Sequence, residues 1–304
     1  MRNTEYNAKQ VLKYLAWTFV IAYIIQFLAA PLYKSNRQAG QLVLAAMMFV
    51  PALGVLLSGA KLNGMGWKPQ IKKNIRPILT AWFTPLILTV AGGALYFLFF
   101  PQHIDLSGSY MTALAGADVL ELLQAQGVSY PVYVLITALS TITYAPLINM
   151  IAALGEEIGW RGFLYPQLEA GFGRRKGWIL GGIIWGAWHW PLIWLIGYEY
   201  GEAAGNFAGY AGFPVTGMLA FCVCTVGIGV LHAWLYEKSG TIWVPSLLHG
   251  AFNAVAALPL MLCAADTGTY RLLGPSPNGL LSGLPFLITA AYILFRRRPD
   301  AEKQ

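Results

Sequence analysis

Of the thirteen Asp and Glu residues in this chain, only Glu156 and Glu157 adjoin a segment apolar enough to be buried; the rest fall in loops, tails or the ends of apolar runs. They sit in Gly155-Glu156-Glu157-Ile158-Gly159-Trp160-Arg161-Gly162. On a helix, Glu157 and Arg161 share a face with the acid on the N-terminal side, the better order for an ion pair. Glu156 is turned about 100° away and has no cation on its own face. One carboxylate is therefore neutralised, and its neighbour is left for a pocket. Gly155, Gly159 and Gly162 give the same helix a small-residue face that a neighbour can approach closely. His189, His232 and His249 also lie in apolar runs. His189 follows Trp185 by one turn, so an indole packs on the imidazole. Pro191 cannot donate to the carbonyl of Ala187, which loosens the helix and leaves a carbonyl to orient the ring or admit water. His249 and Asn253 are four apart and aim two polar groups at one spot, with Pro245 freeing a carbonyl one turn back. His232, whose polar neighbour at helical spacing is Tyr236, reads as a packing or interface residue.

A carboxylate and an imidazole can hold a water and take its proton, while His and Asn donors stabilise an oxyanion. Glu156, His189 and His249 are also three ligands that would leave a zinc ion an open fourth position. Either arrangement suits amide hydrolysis. The residues leave the cofactor at none or Zn2+, and the absence of a paired-histidine helix favours the metal-free route, with Glu156 as proton acceptor. Several other intramembrane chemistries are excluded: there is no His-Glu-x-x-His, no Gly-x-Ser-Gly and no Gly-x-Gly-Asp, nor any phosphate-binding or dinucleotide fingerprint.

Charge at bilayer depth is costly, so these residues stand out only because of what surrounds them. The 304 residues are 57% apolar and 11% charged, far from the roughly 25% charge of a soluble domain. The apolar residues fall in runs long enough to cross a hydrocarbon layer of about 30 Å. The expected fold is all-α, a polytopic bundle of about eight transmembrane helices: Val11–Pro31, Leu42–Ala60, Ile78–Phe100, Val132–Ala152, Trp178–Ile196, Thr216–Tyr236, Ile242–Cys263 and Leu280–Phe295. The fourth runs on as a polar helix toward Glu169. Of the twenty Lys and Arg residues, only Lys34, Arg37 and Arg271 fall on the side away from the termini. The positive-inside rule then places both termini in the cytoplasm. The net charge of +7 reads as topology and contact with anionic membrane lipids rather than as a nucleic-acid footprint. The first apolar run is full length with no cleavage site after it, so it reads as a span and not a signal peptide. Cys222, Cys224 and Cys263 read as apolar packing. The acidic stretch Pro101–Pro131 is expected outside, with a short helix around Ala117–Gln126. His189 and His249, counted from Trp178 and Ile242, fall in the cytoplasmic half of the layer or near its middle, so the pocket is expected to open toward the cytoplasm.

Glu-Glu-x-x-x-Arg at Glu156–Arg161, aromatic-x-x-x-His at Trp185–His189 and His-x-x-x-Asn at His249–Asn253 resemble the CPBP family of intramembrane proteases, which takes in CAAX prenyl proteases of the Rce1 type and bacteriocin-processing or self-immunity proteins. The likeness spans about Ala138–Leu260 and includes the lead-in Ser239–Pro245. It implies that Glu156 activates water, that His189 helps hold it, and that His249 and Asn253 form the oxyanion site, with Glu157 and Arg161 in support. The second motif usually begins with Phe, and Trp185 stands there instead, which bears on substrate size. The implied organisation is three N-terminal helices and the external loop in 1–130, a catalytic core in 131–264, and a last helix with a basic tail in 265–304. The implied function is an endopeptidase acting on a membrane-associated or lipidated peptide or protein; the alternative is a catalytically idle member that binds a peptide or bacteriocin. The expected location is the plasma membrane of a prokaryote.

The charge asymmetry makes a direct prediction. A topology reporter fused after Lys303 should read cytoplasmic and one inserted near Ser109 external; the same side for both would overturn the span count.

Overall fold

The protein, described from a computed structural model over residues 5–116, 118–201 and 209–296, is built of helices, with no strand among the described residues. Among the described residues, six helical runs are long and apolar enough to cross a membrane. They are α1 (Ala8–Ser35), the pair α2 (Arg37–Met47) and α3 (Val50–Leu57), α4 (Ile75–Phe99), the pair α10 (Arg174–Ala187) and α11 (Trp190–Ile196), α12 (Val215–Ser239), and α13 (Trp243–Val255) with its 3-10 continuation Leu258–Leu262. These match six of the eight expected spans, and the chain is an integral membrane protein.

The other two spans depart from expectation. The fourth is two helices, α7 (Tyr130–Ile142) and α8 (Ala145–Gly159), parted at Thr143 and Tyr144. Pro146 has no N–H for the Ile142 carbonyl, and its ring would strike it, so a single helix cannot run through. The eighth is α14 (Leu284–Phe295), 12 residues long. Its expected first residues are held outside the helix, where the N–H groups of Leu280 and Leu281 bond to the carbonyls of Leu272 and Leu273. Between α4 and α7 lie α5 (Ser109–Ala115) and α6 (Val119–Ala125). The latter falls inside the helix expected around Ala117–Gln126, while the former was not anticipated. Ala117 and the basic tail from Arg297 lie outside the described residues.

Solvent on most sides is hydrocarbon, so the outer helices turn apolar side chains outward. Along α1 the buried face is Val11, Tyr14, Thr18, Ala22, Gln26 and Ala29, a 3.6-residue period, while Leu12, Val20, Ile24 and Leu28 are exposed. The spans of α12 and α13 are 72% buried against 28% for α1 and α4, which puts α12 and α13 at the centre. Around them α13 packs on α8 and α4, and α10 packs on α12 and on α9 (Tyr165–Phe172). Two sets of contacts mark the ends of the bundle. At the end carrying the N-terminus, the Asn7 N–H donates to Gln167 Oε1 at 2.8 Å and Thr241 Oγ1 donates to the Gly66 carbonyl. At the far end, Tyr130 donates to the Met261 carbonyl at 2.6 Å and Tyr200 to that of Asn278 at 2.8 Å.

The small-residue face of α8 meets α3. A Cβ on Gly155 would lie 2.7 Å from the Met48 carbonyl oxygen, and one on Gly159 would collide with Pro51 and stand 2.6 Å from the Tyr14 hydroxyl. This close approach holds the acid-bearing turn of α8 against the rest of the bundle. Gly159→Val should therefore lower thermal stability in detergent by about 1–3 kcal/mol; an unchanged melting temperature would show that α3 and α8 are not tightly packed there.

Candidate active site

Glu156 and Glu157 leave the last turn of α8 toward different partners. Glu156 is 2% exposed, and one oxygen, Oε2, accepts from the indoles of Trp160 at 3.0 Å and Trp185 at 2.8 Å. Oε1 accepts no hydrogen bond from the described residues. Beyond α8 the helix widens into a π-helical turn at Trp160–Leu164; Pro166 has no N–H for the Gly162 carbonyl, so the regular ladder cannot continue there. Trp160, one turn after Glu156, reaches back to it.

Glu157 is fully buried. Its Oε1 accepts from Arg161 Nη1 at 2.9 Å and from His249 Nδ1 at 2.9 Å, with His232 Nε2 at 4.0 Å. Taking two charges out of water costs several kcal/mol each, which a single contact does not offset. The Arg161 guanidinium gains further from two aromatic faces, lying 4.4 Å from the Trp185 ring centre and 4.6 Å from that of Tyr165. Trp185 thus serves both acids: its N–H holds Glu156 while its face covers the cation that holds Glu157. A phenylalanine there, the residue expected from the motif, would supply the face but not the donor.

His189 lies at the break between α10 and α11. Its Nδ1 donates to the Trp185 carbonyl at 3.0 Å; a carbonyl only accepts, so Nδ1 carries the proton and Nε2 of the neutral ring holds the lone pair. Tyr198 stacks parallel to the ring, at 6.0 Å and 8°, and Phe221 meets it edge-on at 4.9 Å. The Ala187 carbonyl, expected to orient this ring or admit water, instead accepts from Tyr23 at 2.8 Å, and the Trp188 carbonyl accepts from Gln26 at 2.8 Å. Polar groups of α1 thus satisfy the carbonyls at the break, which hydrocarbon could not. Pro245 differs too: it falls in the first turn of α13, where the missing N–H costs nothing, and the Thr241 carbonyl takes the Ser239 hydroxyl at 3.3 Å.

Glu156, His189, His249 and Asn253 line one cavity of about 350 Å³, together with Trp185. Asn253 is exposed into it. The cavity walls are apolar, formed by Met47, Met48, Phe221, Phe252 and Leu260 among others, and the lining continues to Tyr110, Glu199, Arg271 and Asn278. Those last four belong to the far end of the bundle, so the lining runs from Glu156 and His189 toward the side away from the termini.

A different trio forms the metal-like grouping. Among the described residues, one set of three His, Cys, Asp or Glu side chains has ligand atoms all within 4.8 Å of one another, namely Glu157, His232 and His249. Glu156 and His189 are not in it. His232 is fully buried, and its Nδ1 bonds to the Ile228 carbonyl at 2.8 Å. Its proximity to Glu157 could not be read from its own helix, because the partner comes from a distant one. Trp160 was likewise missed, although its spacing of four from Glu156 on the same helix face was a readable signal. Cys222, Cys224 and Cys263 are free and buried, as packing residues are.

The fold and site together define a helical membrane protein with polar groups gathered between central helices. Its sequence matches the family model described as Type II CAAX prenyl endopeptidase Rce1-like over residues 137–255, the segment that carries all of these groups. It is also similar to CAAX prenyl protease 2 of Methanococcus maripaludis, with 25% identity over 307 residues, covering 98% of this chain and 97% of the relative. Both comparisons agree with the family resemblance carried by the three motifs: residues 137–255 are similar to the Rce1-like CAAX endopeptidases.

The two acids should separate in a stability measurement. Glu157→Gln removes the charge between Arg161 and His249 and should cost about 3–5 kcal/mol, whereas Glu156→Gln keeps an oxygen for the two indoles and should unfold near the wild-type temperature. Equal losses would contradict the division of partners.

Proposed function

We propose that this protein is an intramembrane endopeptidase that hydrolyses a peptide bond of a membrane-associated or lipidated peptide or protein, with Glu156 taking the proton of the attacking water. The observation that carries this reading is that Glu156 is held by the described residues through one oxygen only and lines the same largely apolar cavity as His189, whose Nδ1 is engaged by the Trp185 carbonyl. A water between Glu156 Oε1 and His189 Nε2 is held at two points and gives its proton to the carboxylate as it attacks the scissile carbonyl. The tetrahedral oxyanion is met by the Asn253 amide and by the ring of His249, which Glu157 holds through Nδ1. Glu156 then returns the proton to the leaving amine. Glu157, Arg161 and Trp185 position these groups without touching the substrate. The complete set of acid, base and donors supports an enzyme over an idle peptide-binding protein.

The residues also bear on metal. Zinc bound here would supply a Lewis acid to polarise the carbonyl or lower the pKa of a water. The trio that clusters is Glu157, His232 and His249, but the Glu157 oxygen nearest both rings already takes the Arg161 guanidinium. A second cation on that oxygen would face the first in a low-dielectric interior. This favours the metal-free route, which uses Glu156 instead.

Glu156→Gln should abolish cleavage while the protein still inserts and folds, and it should trap bound peptides for identification by mass spectrometry. Exhaustively chelated wild type, shown metal-free by elemental analysis, should keep full activity. Wild-type turnover by Glu156→Gln would overturn the assignment of the base, and activity lost on chelation and restored by zinc would overturn the metal-free route.

A further inference from the structure

The first helix carries a group that packing does not account for. Gln26 is fully buried on α1, a helix that otherwise meets its neighbours mostly through apolar and small side chains. Its Nε2 donates to the Trp188 carbonyl at 2.8 Å, while its Oε1 is buried with no hydrogen-bond partner among the described residues. A buried amide with one end unsatisfied costs more than an apolar side chain of the same shape. The bond to Trp188, the residue before His189, is what Gln26 supplies in return.

Two carbonyls lie at the break, and they differ in what could reclaim them. In a regular helix each carbonyl takes the N–H four residues on. For Ala187 that residue is Pro191, which has none, so the Tyr23 hydroxyl fills a place that no ladder group can take. For Trp188 it is Leu192, whose N–H is present but goes to the His189 carbonyl at 3.0 Å. Gln26 therefore occupies a carbonyl that the helix could otherwise take back.

The backbone carries the consequence. At Trp188 ψ is −22° and at His189 φ is −94°, against about −42° and −63° in an α-helix. The two depart in opposite senses, by roughly 20° and 30°, which is a rotation of the peptide plane between them. That plane bears the carbonyl held by Gln26. Returning the carbonyl to Leu192 would turn the plane back and carry the His189 ring with it, away from the Trp185 carbonyl that takes its Nδ1 at 3.0 Å. Resting on the endopeptidase reading, we propose that Gln26 is a positioning residue, which keeps His189 set for its water by holding the Trp188 carbonyl off the α11 ladder. Gln26 does not line the cavity and acts only through the backbone.

The probe is a dye-quenched farnesylated peptide, and the proteins are full-length wild type, Gln26→Met and Tyr23→Phe in detergent. Met keeps the length of Gln without its donor. Gln26→Met should lower kcat about ten- to a hundredfold, the effect of a displaced catalytic group, with KM within about twofold. Tyr23→Phe should keep kcat within about threefold, since no N–H waits for the Ala187 carbonyl. Nitrogen-15 spectra of histidine-labelled protein, with the His189 signals identified by their loss in His189→Gln, give the second readout. Wild type should carry the His189 proton on Nδ1, and Gln26→Met should move part of it to Nε2, which a loss of stability alone would not do. Wild-type kcat in Gln26→Met, an unchanged His189 tautomer there, or an equal loss of kcat in Tyr23→Phe would overturn the proposal. If Gln26→Met fails to fold, Gln26→Asn, polar but one methylene short of the carbonyl, is measured against the same two readouts. A tautomer shift in Gln26→Met when wild type itself cleaves no peptide would count against the hydrolase reading and leave the Gln26 assignment standing.

Discussion

The arrangement of the site rests on how two neighbouring carboxylates at the end of α8 are given different partners. Glu157 takes a guanidinium and an imidazole on one oxygen; Glu156 takes two neutral indoles on one oxygen and keeps the other open. Adjacent residues on a helix point about 100° apart, so one can be built into the bundle while the other faces the cavity. The same indole, Trp185, joins the two halves, since it donates to Glu156 and lies under Arg161. Burial strengthens both arrangements, because neither acid can trade its partners for water.

Breaks in the helices carry the rest. A straight α10–α11 would leave His189 on an unbroken ladder; the break at Trp188 and His189 turns its ring toward the cavity, and Tyr23 and Gln26 on α1 satisfy the carbonyls there. The widened turn after α8 and the parting of α7 from α8 both follow a proline that cannot donate, at Pro166 and Pro146. Irregular backbone at membrane depth is tolerated where protein covers it, as here, and not where lipid would.

Much of this was legible in the sequence, for physical reasons particular to each feature. The ion pair of Glu157 with Arg161 follows from spacing along one helix, as does the glycine face that admits α3. Six spans were readable because hydrocarbon demands long apolar runs. What could not be read came from contacts between helices far apart in the chain. His232 joins Glu157 and His249 only once α12 packs at the centre. The Ala187 carbonyl freed by Pro191 finds Tyr23 from the first helix, where the sequence offered the imidazole ring or water. The start of α10 also lies four residues before the apolar run from which the span was read. A basic helix start, Arg174-Arg175-Lys176, hides such an extension from an apolar-run reading.

In the proposed reaction Glu156 acts on water and does not itself attack the peptide. A single turnover in water enriched with oxygen-18, with enzyme in excess over a cleaved peptide, tests this most directly. Direct attack by water places one heavy oxygen in the new carboxylate of the product and leaves the Glu156 side chain unlabelled. An unlabelled first-turnover product, with the heavy oxygen found in Glu156 by mass spectrometry of the digested enzyme, would reveal an acyl-glutamate intermediate and contradict the account.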